Sequence, residues 1–307
     1  MNKSFLDNWN KWKDYPNNPL INPKPPDWII ADPTFISNKE SPDELFHLFA
    51  HSIIAGINHY VSRDGFMWRN TFQKLFSGMR PFLFKENQEF YLLYEKVSSI
   101  LGSSHIEIRK SIDLFDWSPP KTILKPSLLW EGKFPATNSN PCIIKKGNIY
   151  RLYYSAGSVF LKDCLFNEPK YIGLAESKHI LGPYKKIEKP IITPNKNHPY
   201  RNMGAGAIKV IHLKNKNSWL AFNNGIYFDG KRTRSSILLL YSDDGIQFTE
   251  VFNKPIICPT RGWKKAFVYQ LDVKKINNNG EYRLYYNARD GWFIGVERIG
   301  LSILNLK

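Results

Sequence analysis

Short apolar runs rich in aromatic and β-branched residues recur along the chain, bounded by Asn, Lys and Gly, and no segment sustains the 3.6-residue period of a helix. The clearest are LFHLFAHS from Leu45, EFYLLYEK from Glu89, IYRLYYSA from Ile149, SWLAFNNG from Ser218 and EYRLYYNA from Glu281. Each is preceded by another apolar run: ADPTFIS (31–37), MRPFLF (79–84), SNPCII (139–144), GAGAIKVI (204–211) and VYQLDVKKI (268–276). Turn segments such as KENQ (85–88), KKGN (145–148) and INNNG (276–280) join the two runs, so each pair reads as a hairpin. A third strand is marked by serine-led turns at Ser62, Ser111, Ser177 and Ser242, and a fourth runs into the Pro-flanked links PIITP (190–194) and PIICP (255–259).

Self-similarity at roughly 60-residue intervals is the signature of stacked supersecondary units. A unit of four antiparallel strands cannot bury both faces alone, and radial closure covers the faces while protecting the edges. The pattern therefore predicts an all-β, five-bladed β-propeller with four antiparallel strands per blade, as one domain over residues 1–307. Two packed sandwiches are the alternative, but they do not require the same order of motifs in every unit. The first 25 or so residues, with Trp9 and Trp12, read as an extended lead-in against the outside of a blade.

Composition narrows the functional classes. No run reaches the ~18 apolar residues of a membrane span and the first residues lack a secretory pattern, which predicts a cytoplasmic chain. The three cysteines, Cys142, Cys164 and Cys258, have no metal-type spacing, and neither a disulfide framework, a metal nor a cofactor is implied. Lys and Arg exceed Asp and Glu by 43 to 27, a net charge of +16. The cations are scattered through Asn-rich loops such as 195–201 and 214–217 without a nucleic-acid motif, so no nucleic-acid partner is expected. An anionic substrate stays open, as does the oligomeric state.

Antiparallel order brings the start of each first strand and the end of each second strand to one rim. The starts are Asp32, Arg80, Asn140, the Gly204–Gly206 segment and Tyr269–Gln270; the ends are His51, Glu95, Ser155, Asn223 with Asn224, and Asn287. Polar residues at a crowded axis need a partner or water, which implies a polar funnel. Pro33, Pro81 and Pro141 follow Asp32, Arg80 and Asn140; proline tolerates a strand start, but that leaves the polar residue before it unexplained. Arg80 opposite Asp32 would keep it ionised or clamp an oxyanion. Glu95 ends an apolar strand and needs a partner or a cleft, and His51 suits proton transfer or a rim contact. The turns at 62–68, 111–117 and 242–248 read as structural, with Trp68, Trp117 and Phe248 packing between blades.

Asp-Pro opening the first unit, Asn-Pro opening the third and the order of repeats over nearly the whole chain resemble the five-bladed propeller glycosidases of glycoside hydrolase families 43, 32, 68 and 130. In the family 43 pattern a blade-one Asp is the general base, a blade-three Asp tunes its partners and a blade-four Glu is the general acid. Asp32 matches the first position, Asn140 replaces the second, and the blade-four segment RNMGAGAIKV (201–210) has no glutamate. The resemblance implies a carbohydrate or activated-sugar substrate in the funnel. Because glycoside hydrolysis ordinarily needs two carboxylates, Asp32 and Glu95 are the catalytic candidates, and Arg80, Asn140, His51, Arg201, Asn223, Trp28 and Trp263 the substrate-binding ones. The missing carboxylates leave two other readings: a phosphorylase or transferase using a phosphorylated sugar, served by Arg80 and Arg201, and a non-catalytic sugar-binding propeller.

Overall fold

The computed structural model describes residues 4–73, 75–98, 102–213 and 216–306; Met1–Lys3 of the lead-in, and Lys214 and Asn215 of the basic loop, lie outside them. The described residues build three separate four-stranded antiparallel sheets and one eight-stranded sheet, the last made of two four-stranded antiparallel units joined by a single parallel pair, Ser235 with Phe267, so that five units follow in sequence order. Blade I holds Ala31–Ile36, Phe46–Ser52, Gly56–Ser62 and Arg69–Asn70, and blade II holds Met79–Glu86, Glu89–Val97, Ser104–Ser111 and Lys121–Leu124. Blade III holds Asn138–Lys146, Ile149–Leu161, Phe166–Ser177 and Lys185–Lys186; blade IV holds Ile208–Leu213, Ser218–Phe228, Thr233–Ser242 and Thr249–Glu250. Blade V has Phe267–Lys275, Glu281–Arg289 and Glu297–Asn305, and its fourth strand comes from the other end of the chain, where Lys13–Asp14 pairs with Ile303 and Ser302. The lead-in is not extended throughout, since Ser4–Asn10 forms a 3-10 helix; it closes the ring as well as packing outside it, with Trp9 against Phe222 of blade IV and Tyr282 of blade V.

First strands meet in the cyclic order I, II, III, IV, V, I. Side chains alternate between the two faces of a strand, so each blade buries one set against each neighbour. In blade I, Phe35 and Leu48 pack with Tyr285 and Leu301 of blade V, while Ile36 and Phe49 pack with Leu83 and Leu92 of blade II. This two-sided burial explains why the hairpin strands read as continuous apolar runs. Polar ties join neighbouring blades as well: Asp272 of blade V accepts hydrogen bonds from Thr34 Oγ1 (2.9 Å) and the Phe35 N–H (3.0 Å), and Thr34 Oγ1 accepts the Leu83 N–H (2.9 Å).

The serine-led turns are self-contained, as expected. Ser62, Ser111 and Ser242 each hydrogen-bond the aspartate two residues on at 2.8–2.9 Å. Trp68 meets Tyr285 of blade V, Trp117 meets Phe49 of blade I and Phe248 meets Tyr153 of blade III. The neighbouring tyrosines fasten the same turns, Tyr285 Oη to the Gly65 carbonyl (2.6 Å) and Tyr153 Oη to the Gly245 carbonyl (2.8 Å).

One backbone device decides what faces the axis. Pairing of the first two strands slips by one residue at Asp32–Pro33, Arg80–Pro81 and Asn140–Pro141, so two residues oppose one. Proline lacks an N–H and loses nothing in such a β-bulge. The residue before it takes a left-handed conformation, φ 51° at Asp32, 52° at Arg80 and 47° at Asn140, with Gly206 at 53° in blade IV. Holding non-glycine residues there costs on the order of 1–2 kcal/mol each. The strain recurs because the bulge turns these three polar side chains into the funnel.

Candidate active site

The first-strand bulges and second-strand ends line a cavity of about 420 Å³ at one end of the axis, a size within the range of about 300–1,000 Å³ typical of small-molecule sites. Its wall includes Asp32, His51, Arg80, Asn140, Gly206, Asn224, Tyr269, Gln270 and Asn287 from the expected rim positions. It also includes Glu168, Arg289 and Glu297, which the sequence reading missed.

Asp32 is buried, with its carboxylate 3.0 Å from His51 Nδ1. Burial pushes its pKa upward, but the His51 hydrogen bond and charge, with Arg80 and Lys209 behind them, outweigh burial and hold the carboxyl below its ordinary 3.8. Asn287 Oδ1 accepts the Asp32 N–H at 3.2 Å, and Asn287 Nδ2 donates to Glu297 Oε2 at 3.0 Å. Arg289 Nη1 reaches the other Glu297 oxygen at 3.2 Å. Blade V thus braces the backbone of the blade I bulge at Asp32.

Glu168 arrives differently. The second and third strands of blade III, thirteen and twelve residues long, continue past the rim and fold Leu165–Pro169 over the cavity. The overhang is pinned where the N–H groups of Ala205 and Gly206 donate to the carbonyls of Lys170 (3.0 Å) and Pro169 (3.1 Å). Burial pushes the Glu168 carboxyl up to about 8; the negative charges of Glu297 and Asp32 act the same way, against Arg80 and Arg289. Glu297, the third carboxyl on this wall, is also raised, by burial first, with Arg289 opposing and the Asp32 charge adding; of the three, Asp32 is held ionised and Glu168 protonated at neutral pH.

Glu95 is buried and its Oε2 takes the guanidinium Nη1 of Arg80. It lies behind the wall rather than on it, and Arg80 stands between Glu95 and the cavity. Tyr269 Oη and Gln270 Nε2 are buried on or beside the wall and have no hydrogen-bond partner among the described residues. A buried polar atom left unpaired costs about 1–3 kcal/mol, so these two groups are available to a hydroxyl-bearing ligand.

The remaining candidates separate clearly. Trp28 stands half exposed on the rim. Trp263 lies against Tyr286 and Gly300, outside the cavity lining. Arg201 reaches Asn223 (3.3 Å) and Glu250 (3.1 Å), also outside it. Asn223 spends its amide on the carbonyls of Ala205 (2.6 Å) and Ala207 (2.9 Å), fixing the blade IV segment beside the cavity. A signal for Glu168 and Glu297 existed: third strands of an antiparallel blade start at the same rim where second strands end, and FNEPKYIGLAES and ERIGLSILN place a glutamate near that start.

The sequence matches no family model and no curated protein. Solved structures match it over almost the whole chain. The catalytic domain of a GH62 α-L-arabinofuranosidase from Coprinopsis cinerea aligns with TM-score 0.69 at 15% identity, covering 95% of this chain and 96% of that one. An N-acetylgalactosamine deacetylase from F. plautii aligns with TM-score 0.67 at 12% identity, covering 96% and 94%. A structure from the GH130 family of mannoside phosphorylases aligns with TM-score 0.67 at 14% identity, covering 96% and 93%. At these identities the likeness establishes the propeller fold.

Proposed function

We propose that the chain is a carbohydrate-active enzyme of glycosidase type, acting as one propeller domain with its site in the funnel. The observation that carries this reading is the pair of carboxyl groups in one cavity, Asp32 ionised against His51 and Arg80 and Glu168 protonated in the blade III overhang. In this reading Glu168 delivers its proton to the glycosidic oxygen as the bond to the anomeric carbon breaks. Asp32 steadies the positive charge growing on the sugar and accepts a proton from the incoming water as its oxygen bonds that carbon. Tyr269 and Gln270 hold sugar hydroxyls, and Asn140 and Arg80 complete the wall. Glu95 acts through Arg80. The arabinofuranosidase and mannoside-phosphorylase folds named above support the substrate class by analogy.

The test is a panel of oligosaccharides and aryl glycosides, assayed with and without inorganic phosphate, with Asp32→Asn alongside. Asparagine tolerates the left-handed backbone at this position, so the variant keeps the fold. Turnover lost by ~10²-fold or more in Asp32→Asn supports the reading. Phosphate-dependent turnover supports its phosphorolytic form, which Arg80 and Arg289 on the wall would serve. Glycan binding without turnover in either protein would establish the non-catalytic alternative.

A further inference from the structure

The funnel mouth carries an unusual surface. Around it stand Trp28, Ile53, Leu165 and Phe293, with Ile294 next to Phe293, all large apolar side chains facing solvent; Leu165 is 60% exposed, Phe293 62% and Ile294 83%. Isolated exposed apolar residues are ordinary, but several on one rim mark a surface that meets something other than water.

Beside this rim lies a cationic cluster. Arg232, Arg234 and Lys265 surround the Trp292 ring with their charges 5.5, 5.4 and 5.9 Å from its centroid. Trp292 is anchored by its Nε1–H to the Thr233 carbonyl (2.7 Å), and Thr233 is held by Asp163 of the blade III overhang, so the loops of blades III, IV and V present one continuous patch. Arg234 is paired with Asp229, whereas Arg232 and Lys265 are exposed and enter no ion pair among the described residues. Exposed apolar tips beside uncompensated cations make the chemistry that an anionic bilayer surface complements, the tips entering the headgroup boundary and the cations meeting lipid phosphates.

We propose that the funnel mouth docks on an anionic lipid surface, so that the cavity opens toward molecules displayed there. The proposal stands on the rim alone and does not depend on which bond the funnel cleaves.

The experiment is co-sedimentation of the full chain with phosphatidylcholine–phosphatidylglycerol vesicles and with phosphatidylcholine alone. Because a chain of net charge +16 binds anionic vesicles diffusely, three variants are compared: Arg232→Glu/Lys265→Glu, Phe293→Ser/Ile294→Ser, and a control, Lys39→Glu/Lys275→Glu, at the opposite ends of first strands. Circular dichroism checks that each is folded. The expected result is salt-sensitive binding to the anionic vesicles, weakened about tenfold or more by the first variant, weakened by the second with its salt dependence retained, and least affected by the control. Loss of equal size in the control, or binding indifferent to both rim variants, overturns the proposal. So does a rim-dependent dimer in sedimentation equilibrium with no vesicle binding, which would make a second copy of the chain the occupant.

Discussion

Replacing Glu168 by Gln keeps the side chain's shape and removes its transferable proton, which makes it a sharp probe of the funnel. The glutamate is held at about 8 against an ordinary 4.5. Since the folded value is raised, the stability linked to this group is fully present below about pH 4.5 and is lost as pH rises through 8. At 1.36 kcal/mol per pH unit, discounted for the part of the side chain that still meets water, the ionised form costs about 2–4 kcal/mol. A neutral glutamine escapes that cost. The variant should therefore match the parent in urea unfolding at pH 4 and exceed it by about 2 kcal/mol or more at pH 8.5. Its turnover on an unactivated oligosaccharide should fall by ~10²–10⁴-fold. An aryl glycoside whose phenolate leaves without protonation should lose much less. The parent's rate should decline as pH rises through 8, where Glu168 loses its proton, and this alkaline limb should vanish in the variant. Its acid limb should lie below pH 4, because Asp32 is held below its ordinary value. Turnover within threefold of the parent on an unactivated substrate, or an unchanged alkaline limb, would refute the assignment of Glu168 as proton donor.

Glu95→Gln should act on Arg80 instead, lowering unfolding free energy by about 2 kcal/mol through the lost charge-assisted bond, with Glu95→Asp recovering part of it. If Glu95→Gln abolishes the alkaline limb, the proton donor is Glu95, as the sequence suggests. Tyr269→Phe removes a hydroxyl that has no hydrogen-bond partner among the described residues, so urea unfolding should show no loss of stability, while KM should rise about tenfold with a smaller change in kcat. Tyr285→Phe breaks the inter-blade bond to Gly65 and should cost about 1 kcal/mol in urea unfolding while leaving glycan turnover unchanged.

The sequence by itself determined the architecture, because a blade is specified locally. Aromatic and β-branched runs at period two, Asn/Gly turns and Ser-x-Asp turns each act within about ten residues, and their repetition defines five units. Local order also placed Asp32, Arg80, Asn140, His51 and Asn287 at one rim, since strand direction is fixed once the hairpins are known. The X-Pro steps were readable as strand starts, but that they are left-handed bulges aiming side chains at the axis depends on pairing. Tertiary structure alone decided the charge arrangement. Glu95 turned from a cavity group into the partner of Arg80, and Glu168, on a strand prolonged past its rim, became the raised carboxyl. It likewise decided that blade V is completed by Lys13–Asp14, nearly three hundred residues away in sequence. A carboxyl's protonation depends on burial and on charges a few ångströms distant. Around Glu168 those charges come from Asp32, Arg80, Arg289 and Glu297 on three blades, a neighbourhood that exists only once the ring has closed.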